Sequence, residues 1–463
     1  MTEKLSIQDE KKRSLILNGN LWKILITLSL PLAIYEAFNY LYAFIDLWLV
    51  SGLDTNYVTS VIFIDEIRLA ITAFGGAIAS SGSVIVARHY AANELKKARQ
   101  NAGQSVILIL FVSSIVISIM ILLGKEILLL FGANQYIIDS GLPYYQIQML
   151  TTGLVAFNAA FVGLEKAKGN TKIILYANLG VMFMKLALSY VWVMYLGGGL
   201  LELSLSSMIA QGVLMMIGIY LLTRRSNPIR VSLNDLKPNI ALIKPMVILA
   251  FPIFLGKFLF NMGKVFINGI ALLYHTYVVA ALGICSRIFG LFASVANVFH
   301  ETEMAIVSQN LGVNNQKRAI KSFYISLIYA LVVSLIGFII CGLNLDFIIN
   351  LLGNFDLEQI EVIKTTYQFE QFSLIYSALI SVISGLFIGF KRTKIVFWIN
   401  IIRVIILRLP VLWLMYTFID PKPYWHVGFV MFFSNTLTTI ISFIFVFIFI
   451  KEHNRNFNPD LKI

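Results

Sequence analysis

Charge is the scarcest ingredient of this sequence. Only 13% of its 463 residues are Asp, Glu, Lys or Arg, against about 25% in soluble globular domains. Hydrophobic residues make up 58% and the mean hydropathy is +0.82; that balance excludes a water-soluble fold and fits an all-α, polytopic membrane protein. Cysteine is nearly absent as well. Cys285 and Cys341 both fall in apolar runs, which excludes a disulfide framework or a cysteine metal cluster and leaves them as small core residues. The five histidines, His89, His275, His300, His426 and His453, are scattered among the spans. There is no HExxH, GxSxG, DDxxD or Walker loop, and no connector is long enough to hold ATP. Neither an enzyme nor an ATP-driven pump is expected in this chain, and no cofactor or metal site. The first apolar stretch, Trp22–Val50, is too long for a signal-peptide core and lacks a small-residue cleavage site, so it is expected to stay in the mature protein.

What the sequence has in plenty is apolar runs of membrane-spanning length. Twelve occur, near 22–50, 57–84, 104–124, 142–163, 173–196, 200–223, 245–273, 277–305, 322–343, 366–389, 395–418 and 425–450, each long enough for a transmembrane helix. The connectors alternate. Lys and Arg crowd 94–99, 165–172, 224–230, 314–321, 391–394 and 451–455, whereas SGLDTNY, FGANQYIIDSG, LGGGLLEL and LYHTY contain neither. The positive-inside rule then predicts an even number of spans in the cytoplasmic (inner) membrane with both termini cytoplasmic. It also explains the net charge of +12 without a nucleic-acid partner. The longest basic connector carries Pro228 and Pro238, so the expected division is a cytoplasmic segment 1–20, a six-helix lobe 21–223, a linker 224–244, a second six-helix lobe 245–450 and a tail 451–463.

The two halves repeat. Pro31 and Pro252 are 221 positions apart, as are Val58 and Val279, Asn93 and Asn314, Lys97 and Arg318, and Ala98 and Ala319. After one inserted residue the offset becomes 222 and pairs Gln146 with Gln368, Gly163 with Gly385, and Asn178 with Asn400. Six spans per half give both copies the same orientation, with a pseudo-symmetry axis along the membrane normal.

Ionisable residues inside apolar helices cost about 2.5–3.5 kcal/mol each if they face lipid, so they face inward and read as functional candidates. In the first span these are Glu36, near the midplane at 1.5 Å per residue, and Asp46, nearer the far end. Pro31 frees a carbonyl there and invites a bend. In the second span Asp65, Glu66 and Arg68 lie deep, with a local Glu/Arg pairing as the alternative to a functional role. The second half is more heavily charged. Lys257 and Lys264 share a face of the seventh span, Arg287 lies in the eighth, and Glu301 and Glu303 point to nearly opposite sides of that span's inner end. Arg403, Arg408 and Glu370 belong to the same network. Lys257 is the repeat counterpart of Glu36, so opposite charges occupy equivalent places; they either latch the two lobes or are neutralised within their own bundles, and the nearest-partner argument favours the second.

The stretches YAFIDLWLVSGL (42–53), VARHYAANELKKARQNAG (86–103), GLEKAKGNTK (163–172), AALGICSRI (280–288) and SQNLGVNNQKRAI (308–320) resemble the multidrug and toxic compound extrusion (MATE) transporters over nearly the whole chain. The resemblance implies two lobes around a cleft that opens alternately to either side, with export driven by H⁺ or Na⁺. It also matches Asp46 to the family's first-helix aspartate, which serves cation coupling in the N-terminal lobe. A desolvated carboxylate suits that role, because protonation and ion binding compete for it. The fifth span departs from the family pattern: Lys185 and Ser189 stand where many prokaryotic relatives carry Asn and Asp one turn apart, so an ammonium becomes the internal partner of Asp46. Asn158 and Asn178 remain as uncharged candidates, each equally readable as glue between helices. The expectation is a monomeric secondary active exporter of amphiphilic or cationic small molecules by cation antiport, with proton favoured over sodium. The alternatives are a flippase for a lipid-linked precursor, whose pyrophosphate the interior cations would hold, and a non-transporting membrane scaffold or receptor.

Overall fold

The computed structural model describes residues 5–51, 55–130, 135–353, 355–420 and 423–457. All regular elements among them are helical. In lipid no water replaces a missing backbone partner, so a segment that crosses must satisfy every N–H and C=O within itself, which a helix does. The first half contains α1 (Ile7–Asn18), α2 (Leu21–Ser51), α3 (Thr55–Ala91), α4 (Leu95–Leu122), α5 (Gly124–Leu130), α6 (Gln135–Ala167), α7 (Thr171–Tyr190), a π-helical turn π1 (Val191–Tyr195) and α8 (Leu200–Thr223). The second contains α9 (Ile240–Tyr274), α10 (Thr276–Gly312), α11 (Gln316–Leu343), α12 (Leu345–Leu352), α13 (Leu357–Glu370), α14 (Phe372–Gly389), α15 (Thr393–Ile401), π2 (Ile402–Arg408), α16 (Leu409–Phe418) and α17 (Trp425–Phe457). Among the described residues, twelve helical spans are long and apolar enough to cross a membrane, matching the twelve apolar stretches.

The connectors are shorter than the charge pattern suggests. Lys96, Lys97 and Arg99 lie in the first turns of α4, and Lys317, Arg318 and Lys321 in those of α11. Lys and Arg are good helix formers, so a basic run next to a span lengthens the helix into water as readily as it makes a loop. The chain reverses instead at single left-handed residues, and these carry the repeat into three dimensions. Asn93 (φ 60°) and Asn314 (φ 57°) stand 221 positions apart. Each sits in the same pair of backbone bonds, Asn93 N to Tyr90 O and Glu94 N to His89 O, against Asn314 N to Leu311 O and Asn315 N to Asn310 O. Gly169 (φ 75°) and Lys391 (φ 61°) repeat the device 222 positions apart. Asn and Gly tolerate this region; Lys391 is held there against its preference.

The chain forms two compact units, one of Met1–Phe254 with Met304–Ala319 and the other of Leu255–Glu303 with Ile320–Ile463. In the first unit α3 packs along α6 through small residues. A Cβ on Gly75 would come within 2.8 Å of Ala156 Cβ, one on Gly163 within 3.1 Å of Ala79 O, and Ser83 Oγ donates to Gly163 O at 2.8 Å. Gly75, Ala79 and Ser83 recur every four residues, the spacing that lets two membrane helices approach closely. The second unit repeats the contact where α14 meets α10: a Cβ on Gly385, the counterpart of Gly163, would lie 2.8 Å from His300 O, and His300 is the counterpart of Ala79. Cys285 and Cys341 are free and buried in this unit's core.

Helix α1 was not legible in the sequence. Ser6 caps it by accepting from Asp9 N at 3.1 Å. It ties three turns of the first unit together: Arg13 donates to Ala91 O, Lys12 to Asn170 Oδ1, and Arg318 to the carbonyls of Ile16 and Gly19.

Candidate ion and substrate sites

In the first unit α2 and α7 run side by side. Phe38 and Phe183 meet edge to face at 6.4 Å, and the Lys185 ammonium sits 4.5 Å from the centroid of the Tyr42 ring. A cation over an aromatic face gains about 0.5–2 kcal/mol, more as water is excluded. Asp46 follows Tyr42 by four positions, so the helical register puts both positions on one face. The side chains of Asp46 and Glu66 lie outside the described residues. Tyr42 is thus a partner of Lys185 that the residue pattern did not single out, although an aromatic one turn before a candidate carboxylate was a signal available there. Glu36 is half-buried on the same helix.

The uncharged polar candidates of the first unit bond within and between helices. Ser189 is fully buried with its Oγ 2.6 Å from Ser206 Oγ, and Ser206 donates onward to Leu203 O; Ser189 therefore supplies the proton of that bond and joins α7 to α8. Asn178 donates to Ile174 O of its own helix at 2.8 Å, as its counterpart Asn400 does to Val396 O at 3.0 Å. Asn158 reaches α8 by donating to both Gln211 O and Gln211 Oε1, while its own buried Oδ1 has no partner among the described residues. In α3 the local ion pair is Arg68 with Asp65, at 2.9 Å. The segment 165–172, read from the sequence as a basic connector, holds a buried pair instead: Lys168 Nζ lies 2.7 Å from Glu165 Oε1 and also donates to Asn227 Oδ1. The carboxylate three residues earlier neutralises the ammonium and allows it inside.

In the second unit the charges converge on π2. On an α-helix, residues five apart point about 140° apart; a π-turn bonds i to i+5 and brings them toward one side. Arg403 and Arg408 are so related. Arg403 Nε and Arg408 Nη2 both donate to Asn435 Oδ1, at 2.6 and 2.9 Å, and Arg408 Nε donates to Ser434 Oγ at 3.0 Å. Asn435 is fixed in turn by donating to Ser373 Oγ. Helix α9 approaches through two glycines seven residues apart. A Cβ on Gly256 would lie 3.2 Å from Phe397 Cα, and one on Gly263 would collide with Val404. This notch brings Phe260 and Lys264 of α9 to π2: Lys264 Nζ lies 5.0 Å and Arg403 Cζ 4.9 Å from the Phe260 ring centroid. Glu370, buried at the end of α13, lies in the field of Arg408, Arg403 and Lys264.

The remaining candidates lie elsewhere. Lys257 and Arg287 are on exposed faces, and Glu301 is half-buried. Glu303 is wholly buried against α14, where a Cβ on Gly385 would be 3.0 Å from its Oε2, and neither carboxylate oxygen has a hydrogen-bond partner among the described residues. Of the expected second-half network, the structure thus gathers Lys264, Arg403, Arg408 and Glu370. The two arginines were visible in the sequence, but their convergence was not, because nothing in the residue pattern announces a π-turn. Among the described residues no three His, Cys, Asp or Glu side chains are grouped to hold a metal ion.

The MatE family model matches residues 31–191 and 252–414, one block in each half. Three solved structures share the fold at TM-score 0.89. An outward-facing multidrug resistance MATE family transporter of the MOP superfamily is 18% identical, covering 97% of this chain and 99% of its own. A MOP superfamily transporter from Pyrococcus furiosus Vc1, described by a binding pocket of reversed polarity that suggests a different function, is 17% identical over 96% and 98%. A MATE protein in complex with MaL6 is 16% identical over 95% and 99%. No curated protein sequence matches the chain.

Proposed function

The chain belongs to the MatE family and is a multi-pass membrane protein, and from that premise we propose that it is a secondary active exporter of amphiphilic small molecules. It works by cation antiport in the cytoplasmic membrane, with both termini inside, and the proton is favoured over sodium as coupling ion. The observation that carries the choice of ion is the ammonium of Lys185 seated over Tyr42, one helical turn from position 46. A fixed cation there opposes a second one: at an effective dielectric near 20, two like charges about 4 Å apart repel by roughly 4 kcal/mol. A proton escapes that penalty, because it neutralises the Asp46 carboxylate in place and releases the ammonium.

The test is export from reconstituted vesicles by three proteins. Asp46→Asn should fold and insert yet lose gradient-driven export. Lys185→Asn should gain sensitivity to Na⁺, and the unmodified protein should have little. Normal coupled export by Asp46→Asn would reduce that residue to a structural role. A second reading, a flippase for a lipid-linked anion, is favoured by one observation, the basic cluster on π2. The Pyrococcus furiosus transporter, with its reversed pocket polarity, offers a precedent within this fold for a pocket that departs from the usual charge.

A further inference from the structure

The π2 cluster sets two guanidiniums against one carboxylate. Arg403 and Arg408 both act on Glu370, and the Lys264 ammonium lies at the same Phe260 ring as Arg403. Among the described residues no ion pair joins Glu370 to either guanidinium, and its buried Oε2 has no hydrogen-bond partner. The acceptors that do hold the arginines, Ser434 Oγ and Asn435 Oδ1, are neutral. They satisfy N–H groups without cancelling charge, and a buried charge left uncompensated is costly.

Not every guanidinium donor is spent. Arg403 commits only Nε and Arg408 only Nε and Nη2, so three terminal guanidinium nitrogens bond to none of the described residues. The bonds that are made lock both forks to α17, and the glycine notch of α9 fixes the Phe260 ring beside Arg403. Two guanidiniums held to one acceptor, with unspent donors and an aromatic face alongside, match a planar or tetrahedral oxyanion attached to an apolar body.

We infer that Arg403, Arg408 and Lys264 form the binding site for an oxyanionic group, phosphate, sulfonate or carboxylate, of an amphiphilic substrate. The inference rests on the reading of the protein as a transporter and names the chemistry of what it carries, an amphiphilic anion rather than a cation. Glu370 then acts as the counter-charge that tempers the cluster when the oxyanion is absent.

The experiment is equilibrium binding to the full-length protein in nanodiscs of neutral lipid, followed calorimetrically, with phenyl phosphate as anionic probe and benzyltrimethylammonium as a cationic probe of similar size. Phenyl phosphate should bind and the ammonium should not compete. Arg403→Gln should raise the dissociation constant about tenfold or more, the scale of a hydrogen bond to a charged group. Arg403→Lys should fall between it and the unmodified protein, because charge returns without the fork. Lys264→Gln, at an exposed position, should weaken binding as well and keeps the test intact if Arg403 variants misfold. Discs doped with phosphatidic acid separate the sources of the anion. Loss of phenyl phosphate binding there assigns the site to a lipid headgroup, and unchanged binding assigns it to a soluble amphiphile. Absence of phenyl phosphate binding, tighter binding of the ammonium, or an affinity in both Arg403→Gln and Lys264→Gln equal to that of the unmodified protein would overturn the inference. Binding is read without a gradient, so failure here leaves the exporter reading standing, and failure of gradient-driven export leaves this site standing.

Discussion

Arg403 and Arg408 share a single acceptor, the side-chain oxygen of Asn435. Asn435→Ala should therefore take one acceptor from each guanidinium, leaving Arg408 its bond to Ser434, and cost about 3–6 kcal/mol, the scale of two hydrogen bonds to charged groups. Ser434→Ala removes one acceptor from Arg408 alone and should cost about 1.5–3 kcal/mol. Thermal unfolding in nanodiscs orders the two; equal losses would mean that the arginines are held by something other than Asn435.

Tyr42 offers Lys185 a ring face, and the ring alone should be enough. Tyr42→Phe is expected to keep export and its ion preference, while Tyr42→Leu removes about 0.5–2 kcal/mol of cation–π attraction and should release the ammonium. The readout is the Na⁺ dependence of export. Identical behaviour of the Phe and Leu variants would remove the ring from the account.

The close crossing of α10 and α14 depends on a missing side chain. Gly385→Ala puts a methyl 2.8 Å from His300 O and 3.0 Å from Glu303 Oε2, and such overpacking should lower stability by about 1–3 kcal/mol. Gly283, in α10, has nothing within 4 Å of its would-be Cβ. Gly283→Ala should therefore be neutral or slightly stabilising, since Ala is the better helix former. Unfolding midpoints of the two variants should separate in that order.

At the turn between α3 and α4, Lys97 and then His89 hold the Glu94 carboxyl below the usual carboxylate range. A carboxylate whose folded value is depressed contributes its stability above the unfolded value, near 4.3, and loses it as pH falls through the folded value. Amide exchange at Glu94, whose N–H bonds to His89 O, should stay slow at neutral pH relative to intrinsic rates and lose protection only as pH falls below the range of a free carboxylate. Glu94→Gln should abolish that acid-dependent step.

Residue pattern carried the architecture because the bilayer leaves helices so little freedom. Apolar runs gave the twelve spans, and the 221 and 222 offsets anticipated the paired left-handed turns at Asn93 and Asn314 and the matched contacts of Gly163 and Gly385. The sites were only half legible. The sequence shows that Lys185, Lys264, Arg403 and Arg408 are charged residues in apolar helices. It does not show that a shift in backbone hydrogen bonding turns Arg403 and Arg408 to one side, because that shift leaves no period. Nor does it tell which Lys-rich segment is a solvated face and which encloses a neutralised pair, as Glu165 and Lys168 do.

Proton-driven export is measured in vesicles that contain the unmodified protein and are loaded with anilinonaphthalene sulfonate or ethidium, under either a pH gradient without Na⁺ or a Na⁺ gradient at fixed pH. At least one probe should move against its own gradient under the pH gradient, and should move little under the Na⁺ gradient. Movement that runs on Na⁺ at fixed pH, or on neither gradient, would contradict it.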